Sequence, residues 1–123
     1  MIAFKNASLS AEQCVFGETL GADQIVGRNV PVERTVRFSD NEFQSVHGTG
    51  HRNLSVTHAA SLGGWVSLLR NRFEGGGYQA AAFQNVRSLV RDNRFYRYHA
   101  EDAATVRFEW DSVESTDPAG AFV

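Results

Sequence analysis

Apolar and polar residues alternate along this chain in short bursts that break step at regular points. Val66, Leu68, Asn71 and Phe73 are spaced two, three and two apart, and Ser88, Val90, Asn93 and Phe95 repeat that spacing 22 positions later. Val36, Phe38, Asn41 and Phe43 carry it too, as do Ile2, Phe4, Ala7 and Leu9 near the start and Val106, Phe108, Asp111 and Val113 near the end; Leu54, Val56, Ala59 and Ser61 fit it loosely. Alternation at two is a strand with one buried face. The slip to three calls for a bend, where Asn or Asp suits the backbone because it tolerates the left-handed region and bonds locally.

Strand starts fall at 2, 24, roughly 45, 66 and 88, a ladder of about 22 residues per step. A second series, Cys14-Val15-Phe16, Val36-Arg37-Phe38, Leu54-Ser55-Val56 and Ala80-Ala81-Ala82-Phe83, sits half a step later and predicts two principal strands per turn of a coil. A unit this short cannot bury its own apolar face and must stack on its copies. Glycines such as Gly17, Gly48 and Gly75-Gly76-Gly77 lie between the strands, where turns are needed. Helix signals are weak, and the best window, Ser10 to Leu20, is crossed by Gly17. The expectation is one all-β domain over residues 1–114, a short parallel β-helix or else a small antiparallel β-barrel, with a tail or cap over 115–123.

The phrases Val66-Ser67-Leu68-Leu69-Arg70-Asn71-Arg72-Phe73 and Ser88-Leu89-Val90-Arg91-Asp92-Asn93-Arg94-Phe95 resemble the coils of right-handed parallel β-helix proteins, the pectate-lyase-like enzymes and phage tailspikes. That resemblance implies Asn71 over Asn93 in a hydrogen-bonded ladder at a bend, and Phe73 over Phe95 inside. It implies architecture before chemistry. Ala59-Ala60-Ser61-Leu62-Gly63-Gly64, with Val32 to Phe38 before it and Thr105 to Phe108 after it, is more weakly similar to a degenerate PilZ domain, the β-barrel that grips a cyclic dinucleotide. Ala59 stands where that family has its acid, and Arg28 and Arg34 are too far apart to reproduce its arginine pair.

Hydrophobic residues make up 42% and charged residues 21%, as in a folded globular chain, and the net charge of −2 exerts no long-range pull on nucleic acid or membrane. Its distribution matters more. Residues 65–100 carry six Arg against Glu74 and Asp92, whereas 101–123 carry six acids against Arg107. Cys14 is the only cysteine, so no intrachain disulfide can form, and it reads as a small buried apolar residue. The first residues lack the pattern of a signal peptide and no apolar run is long enough to span a membrane. The expected setting is the cytoplasm or a virion.

Candidate chemistry centres on Arg70, Arg72, Arg91, Arg94 and Arg97 with Tyr96 and Tyr98. Guanidinium forks bind carboxylates and phosphates while rings stack on sugars or bases, so an acidic polysaccharide fits, with single-stranded nucleic acid the less favoured ligand. The competing reading is a solvated face in which these Arg pair with acids such as Asp92 and Glu74. His47 and His51 flank Gly48-Thr49-Gly50, which breaks the helix that would align them on a metal, and no metal or other cofactor is expected. Asp40, Asp92, Glu101, Asp102, Glu109 and Asp111 could supply a glycosidase pair, and Arg91 or Arg94 with a carboxylate a polysaccharide lyase. The favoured function is a non-enzymatic binding or assembly module, a homo-oligomer or part of a larger assembly, because the end coils of a solenoid are open sheet edges. Paired Arg and acid rows would favour assembly; a groove of convergent Arg, Asp and Tyr would favour catalysis.

Overall fold

The alternating bursts do form strands, and every described strand pairing is parallel. The computed structural model describes residues 1–48, 50–59, 62–75, 78–98, 105–109 and 120–122. Strands are numbered along the chain. Sheet A stacks β1 (Ile2–Lys5), β5 (Ile25–Arg28), β9 (Arg52–Thr57), β12 (Gln79–Gln84) and β15 (Val106–Glu109). Sheet B stacks β2 (Leu9–Glu12), β6 (Thr35–Ser39), β10 (Trp65–Leu69), β13 (Arg87–Arg91) and β16 (Gly120–Phe122). Sheet C stacks β3 (Val15–Phe16), β7 (Glu42–Phe43), β11 (Arg72–Glu74) and β14 (Arg94–Tyr96), and a small sheet D pairs β4 (Thr19–Leu20) with β8 (Val46–His47). The chain visits A, B and C in rotation, a parallel β-solenoid of about four turns. Parallel neighbours separated by a whole turn exclude the antiparallel barrel, and with it the barrel that a PilZ domain requires.

The repeat is not a constant 22. Phe16, Phe43, Phe73 and Phe95 stack in register at steps of 27, 30 and 22 residues. Each turn has three principal strands instead of two, with a short fourth in the first two turns. Strands starting near 2 and 24 belong to sheet A, those at 66 and 88 to sheet B, so the even ladder merged two sheets. Val106 likewise pairs with Ala81 on sheet A and does not continue the column of Ser88. Between sheets B and C, however, the corner always has two residues: Gln13-Cys14, Asp40-Asn41, Arg70-Asn71 and Asp92-Asn93. The first of each pair is left-handed, with φ of 54°, 56°, 54° and 56°. Local bonding and left-handed tolerance explain Asp there; Arg70 and Gln13 adopt the same conformation against their own preference, held by the strands on either side.

Inside, Val36 and Val66 line one column and Phe38, Leu68 and Val90 the next, all at most 1% exposed. Beside them the rings of Phe43 and Phe73 stack 4.4 Å apart and those of Phe73 and Phe95 5.1 Å apart. Each fully buried side chain of this size contributes roughly 1.5–3 kcal/mol of transfer free energy. The corners are polar and satisfied. Asn41 and Asn71 each donate a backbone N–H to the side-chain oxygen of the next asparagine, at 3.0 and 2.8 Å, while Nδ2 of Asn41, Asn71 and Asn93 reaches back to the carbonyls of Ala11, Phe38 and Leu68. The ladder read from Asn71 and Asn93 therefore exists, and Asn41 extends it.

A second polar spine lies at the corner leading into sheet A. Gln24 Nε2 donates to the Gly17 carbonyl at 2.6 Å, Asn53 Nδ2 to Gln24 Oε1 at 2.7 Å, and the Tyr98 hydroxyl to Asn53 Oδ1 at 2.5 Å. Gln24 and Asn53 are both buried, so these bonds remove the cost of bare polar atoms in the interior. At the end of the chain Gly120–Phe122 pairs with Ser88–Val90. The rest of the expected tail, together with Thr49, His99, Glu101, Asp102, Asp111, Val113 and Gly76-Gly77, lies outside the described residues.

Candidate functional site

The arginine band divides between three places. Arg91 ends β13 on sheet B, Arg70 sits at the corner, and Arg72 and Arg94 stack in register on the outer face of sheet C. Arg70 turns its fork to Asp40 instead of Asp92, with bonds of 2.8 and 2.7 Å. That hydrogen bond is the main reason the Asp40 carboxyl sits below its ordinary range. Arg72 meets the Glu74 carboxylate at 2.6 Å and lies 5.1 Å from the centre of the exposed Tyr96 ring. Arg91 lies 3.3 Å from Asp92, and both are largely exposed. Arg94 and Arg97 enter no ion pair among the described residues. Tyr98 does not join the face, because its hydroxyl is spent on the interior spine; burial, and next the Glu74 charge, push its proton affinity up.

Three of the five arginines are thus matched by a carboxylate, in solvent, where such pairs contribute little to stability but cancel the local field. Below them, an open depression of about 460 Å³ is lined by Gln13, Cys14, Val15, Asp40, Arg70 and Arg72 among others. Cys14 is exposed there, not buried as its composition suggested. It occupies the asparagine position of the first turn, at the margin of the ladder, where no earlier turn covers it. His47 faces Glu18 at 3.6 Å and His51 faces Asp23 at 3.5 Å, in separate pairs, and the described residues contain no group of three or more metal-ligating side chains. No described helix is long and apolar enough to cross a membrane.

The feature that residue spacing did not bring forward is the first turn itself. Its four strands, β1 to β4, each end a sheet, with a neighbour on one side only among the described residues. Ile2, Val15 and Leu20 are 46%, 63% and 83% exposed. Phe4, Leu9, Ala11 and Phe16 point inward yet are only partly buried. A depression of about 240 Å³ opens there between Ile2, Phe16 and Gln24. Leu9, Ala11, Cys14 and Phe16 carry the same two, three, two spacing as the later turns, and that was the available signal. No family model, curated protein or solved structure matches the chain.

Proposed function

We propose that this chain is a non-enzymatic assembly module that docks end-on, through its first turn, against another protein chain. The observation that carries this is the coincidence of four open strand edges with apolar side chains exposed by as much as 83% on the same turn. Unpaired backbone donors and acceptors beside an apolar surface are a template for a further protein layer. The carboxylate partners of Arg70, Arg72 and Arg91 support the same reading, since a neutralised surface is poorly suited to capture an anion by charge. The likeness to tailspike coils suits a part of a virion or similar particle. Replacing Val15 and Leu20 together by Glu tests the proposal, because both are exposed and neither holds the fold. Association measured by sedimentation should be lost while the melting transition stays in place; association that survives both charges overturns the docking surface.

A second reading has its own support at the other end of sheet C. Among the described residues Arg94 and Arg97 have no carboxylate partner, and Tyr96 beside them is 38% exposed under the Arg72 fork. An acidic oligosaccharide would use these two guanidiniums with the ring as a platform. Arg94→Ala with Arg97→Ala should then abolish binding of a polyuronate at low salt, and a parent protein that binds none removes this reading. The lyase reading has less support, since Arg91 and its carboxylate lie open to solvent instead of lining an enclosed groove.

A further inference from the structure

We infer that Lys5 and Arg28, side by side on the outer face of sheet A, form a binding site for a dianionic phosphate group, separate from the docking end proposed above. Strands β1 and β5 pair in parallel with Lys5 opposite Arg28, about 4.8 Å apart at the backbone. Phe4 and Gly27, one position earlier, lie on the interior side, so Lys5 and Arg28 point outward, and both are exposed. The ends of the two strands are tied at the adjoining corner, where Asn29 Nδ2 donates to Asn6 Oδ1 and both asparagines are left-handed.

Like charges directly opposite one another on neighbouring strands destabilise a sheet, and a carboxylate close by relieves them. Sheet C shows that relief: Arg72 stands opposite Arg94, and the Glu74 carboxylate holds Arg72 at 2.6 Å. Sheet A differs. Neither Lys5 nor Arg28 enters an ion pair among the described residues. The outward positions around them, Ala3, Val26, Ser55 and Thr57, carry no acid. On the described part of this face the carboxylate is Glu109, three strands from Arg28 and held by Arg107 at 3.1 Å.

An anion seated between the two side chains removes the repulsion, and their charge sets its own. Two positive charges match a dianion: a phosphate monoester carries about −1.5 to −2 with three acceptor oxygens, enough for the guanidinium fork and the ammonium together. A carboxylate or a phosphodiester, with a single charge, leaves part of the repulsion in place. The face also has room for what such a phosphate is attached to. Thr57 follows Val56, the partner of Gly27, and so stands beside Arg28; it also lines a depression of about 120 Å³ with Arg52, Ser55 and Ala82 among others. Hydroxyls and a guanidinium there suit a small polar body. Free phosphate and a phosphate ester of a small polar molecule share the chemistry of the site.

Titration calorimetry at low salt with inorganic phosphate and with glucose 6-phosphate tests the site. Binding with a Kd of about 1 mM or tighter is expected, and Lys5→Ala with Arg28→Ala should weaken it by about tenfold or more. Tighter binding of the ester assigns the depression to the body of the ligand, and equal binding assigns free phosphate. The same double variant should melt no lower than the parent, since its repulsion is gone, and phosphate should raise the melting temperature of the parent alone. Arg94→Ala with Arg97→Ala should leave phosphate affinity unchanged, which separates this site from the sheet C reading. No binding of either probe at about 10 mM overturns the inference. So does acetate that competes as well as phosphate, or a Lys5 and Arg28 double variant that binds as the parent does or melts lower. None of these results bears on end-on docking, which Val15→Glu with Leu20→Glu reports.

Discussion

The first and third turns are built from the same spacing and reach different ends. In the third, Val66, Leu68 and Phe73 are 0% exposed and Asn71 is 1% exposed, with ladder partners above and below. In the first, Leu9, Ala11 and Phe16 take the equivalent places half covered, and Cys14 replaces the asparagine. Inward orientation is thus a property of the turn's own residues, while burial belongs to its neighbours. A solenoid has one interior only where a turn is covered on both sides, so its stability is unevenly distributed along the axis. Gly27 illustrates the accommodation at the exposed end: a Cβ there would lie 2.4 Å from the Phe4 ring, so its absence lets that ring fold down over the second turn.

The sharpest way to break this comparison is to remove the stacked ring from each turn. Phe73→Ala should cost about 3–5 kcal/mol in urea unfolding, because the cavity is enclosed by Phe43 and Phe95. Phe16→Ala, with a ring on one side only, should cost about half as much; equal losses would mean that the first turn is as closed as the third. The ladder gives a second contrast. Asn71→Ala should cost about 2 kcal/mol, since it strands the Asn41 N–H and the Phe38 carbonyl, whereas Asn93→Ala should cost about 1 kcal/mol at a less buried position. Cys14→Asn should change stability by less than about 0.5 kcal/mol, there being no earlier carbonyl for its amide to reach.

Smaller effects sharpen the picture within the covered turns. Ser88 is fully buried in the column of Val36 and Val66, and its hydroxyl has no hydrogen-bond partner among the described residues. Ser88→Ala should therefore stabilise by about 1 kcal/mol, read as a raised melting temperature. The least effect is expected at Asp40. Because Arg70 holds its carboxyl below the usual carboxylate range, the pair supports the fold above the unfolded carboxylate range and loses that support as pH falls through the lowered value. Asp40→Asn should lower stability slightly at neutral pH, leave it unchanged once the carboxyl would be protonated, and so flatten the acid limb; a loss as large in acid as at neutral pH would contradict the assignment.

How much of this was legible follows from what varied between turns. Val66 to Phe73 and Ser88 to Phe95 announced themselves because the 22-residue step between them is the shortest of the three in the phenylalanine column, with only Asn85-Val86 between sheets A and B. The preceding step is 30 residues because that same corner takes seven positions, 58–64, and the path from sheet C to sheet A is longer as well, so a constant period misassigned the strands of sheet A. Asn71, Asn93 and the Phe73–Phe95 stack were readable since large apolar and amide side chains mark the columns. Leu9-Ala11-Cys14-Phe16 was missed because the small Ala11 and Cys14 stand where later turns carry a large apolar residue and an asparagine. The Gln24, Asn53 and Tyr98 spine had no spacing to betray it, its members coming from different strands and loops. The Arg70–Asp40 pair, 30 positions apart, needed the true register.

The unequal corners have a practical consequence. Between sheets B and C the four described corners all have two residues, while between A and B the links of the first four turns span from two at Asn85-Val86 to seven at 58–64, with the flanking strands still in register. A link that lengthens from two residues to seven while rings and amides stay stacked makes the side between sheets A and B the place where this chain admits added residues.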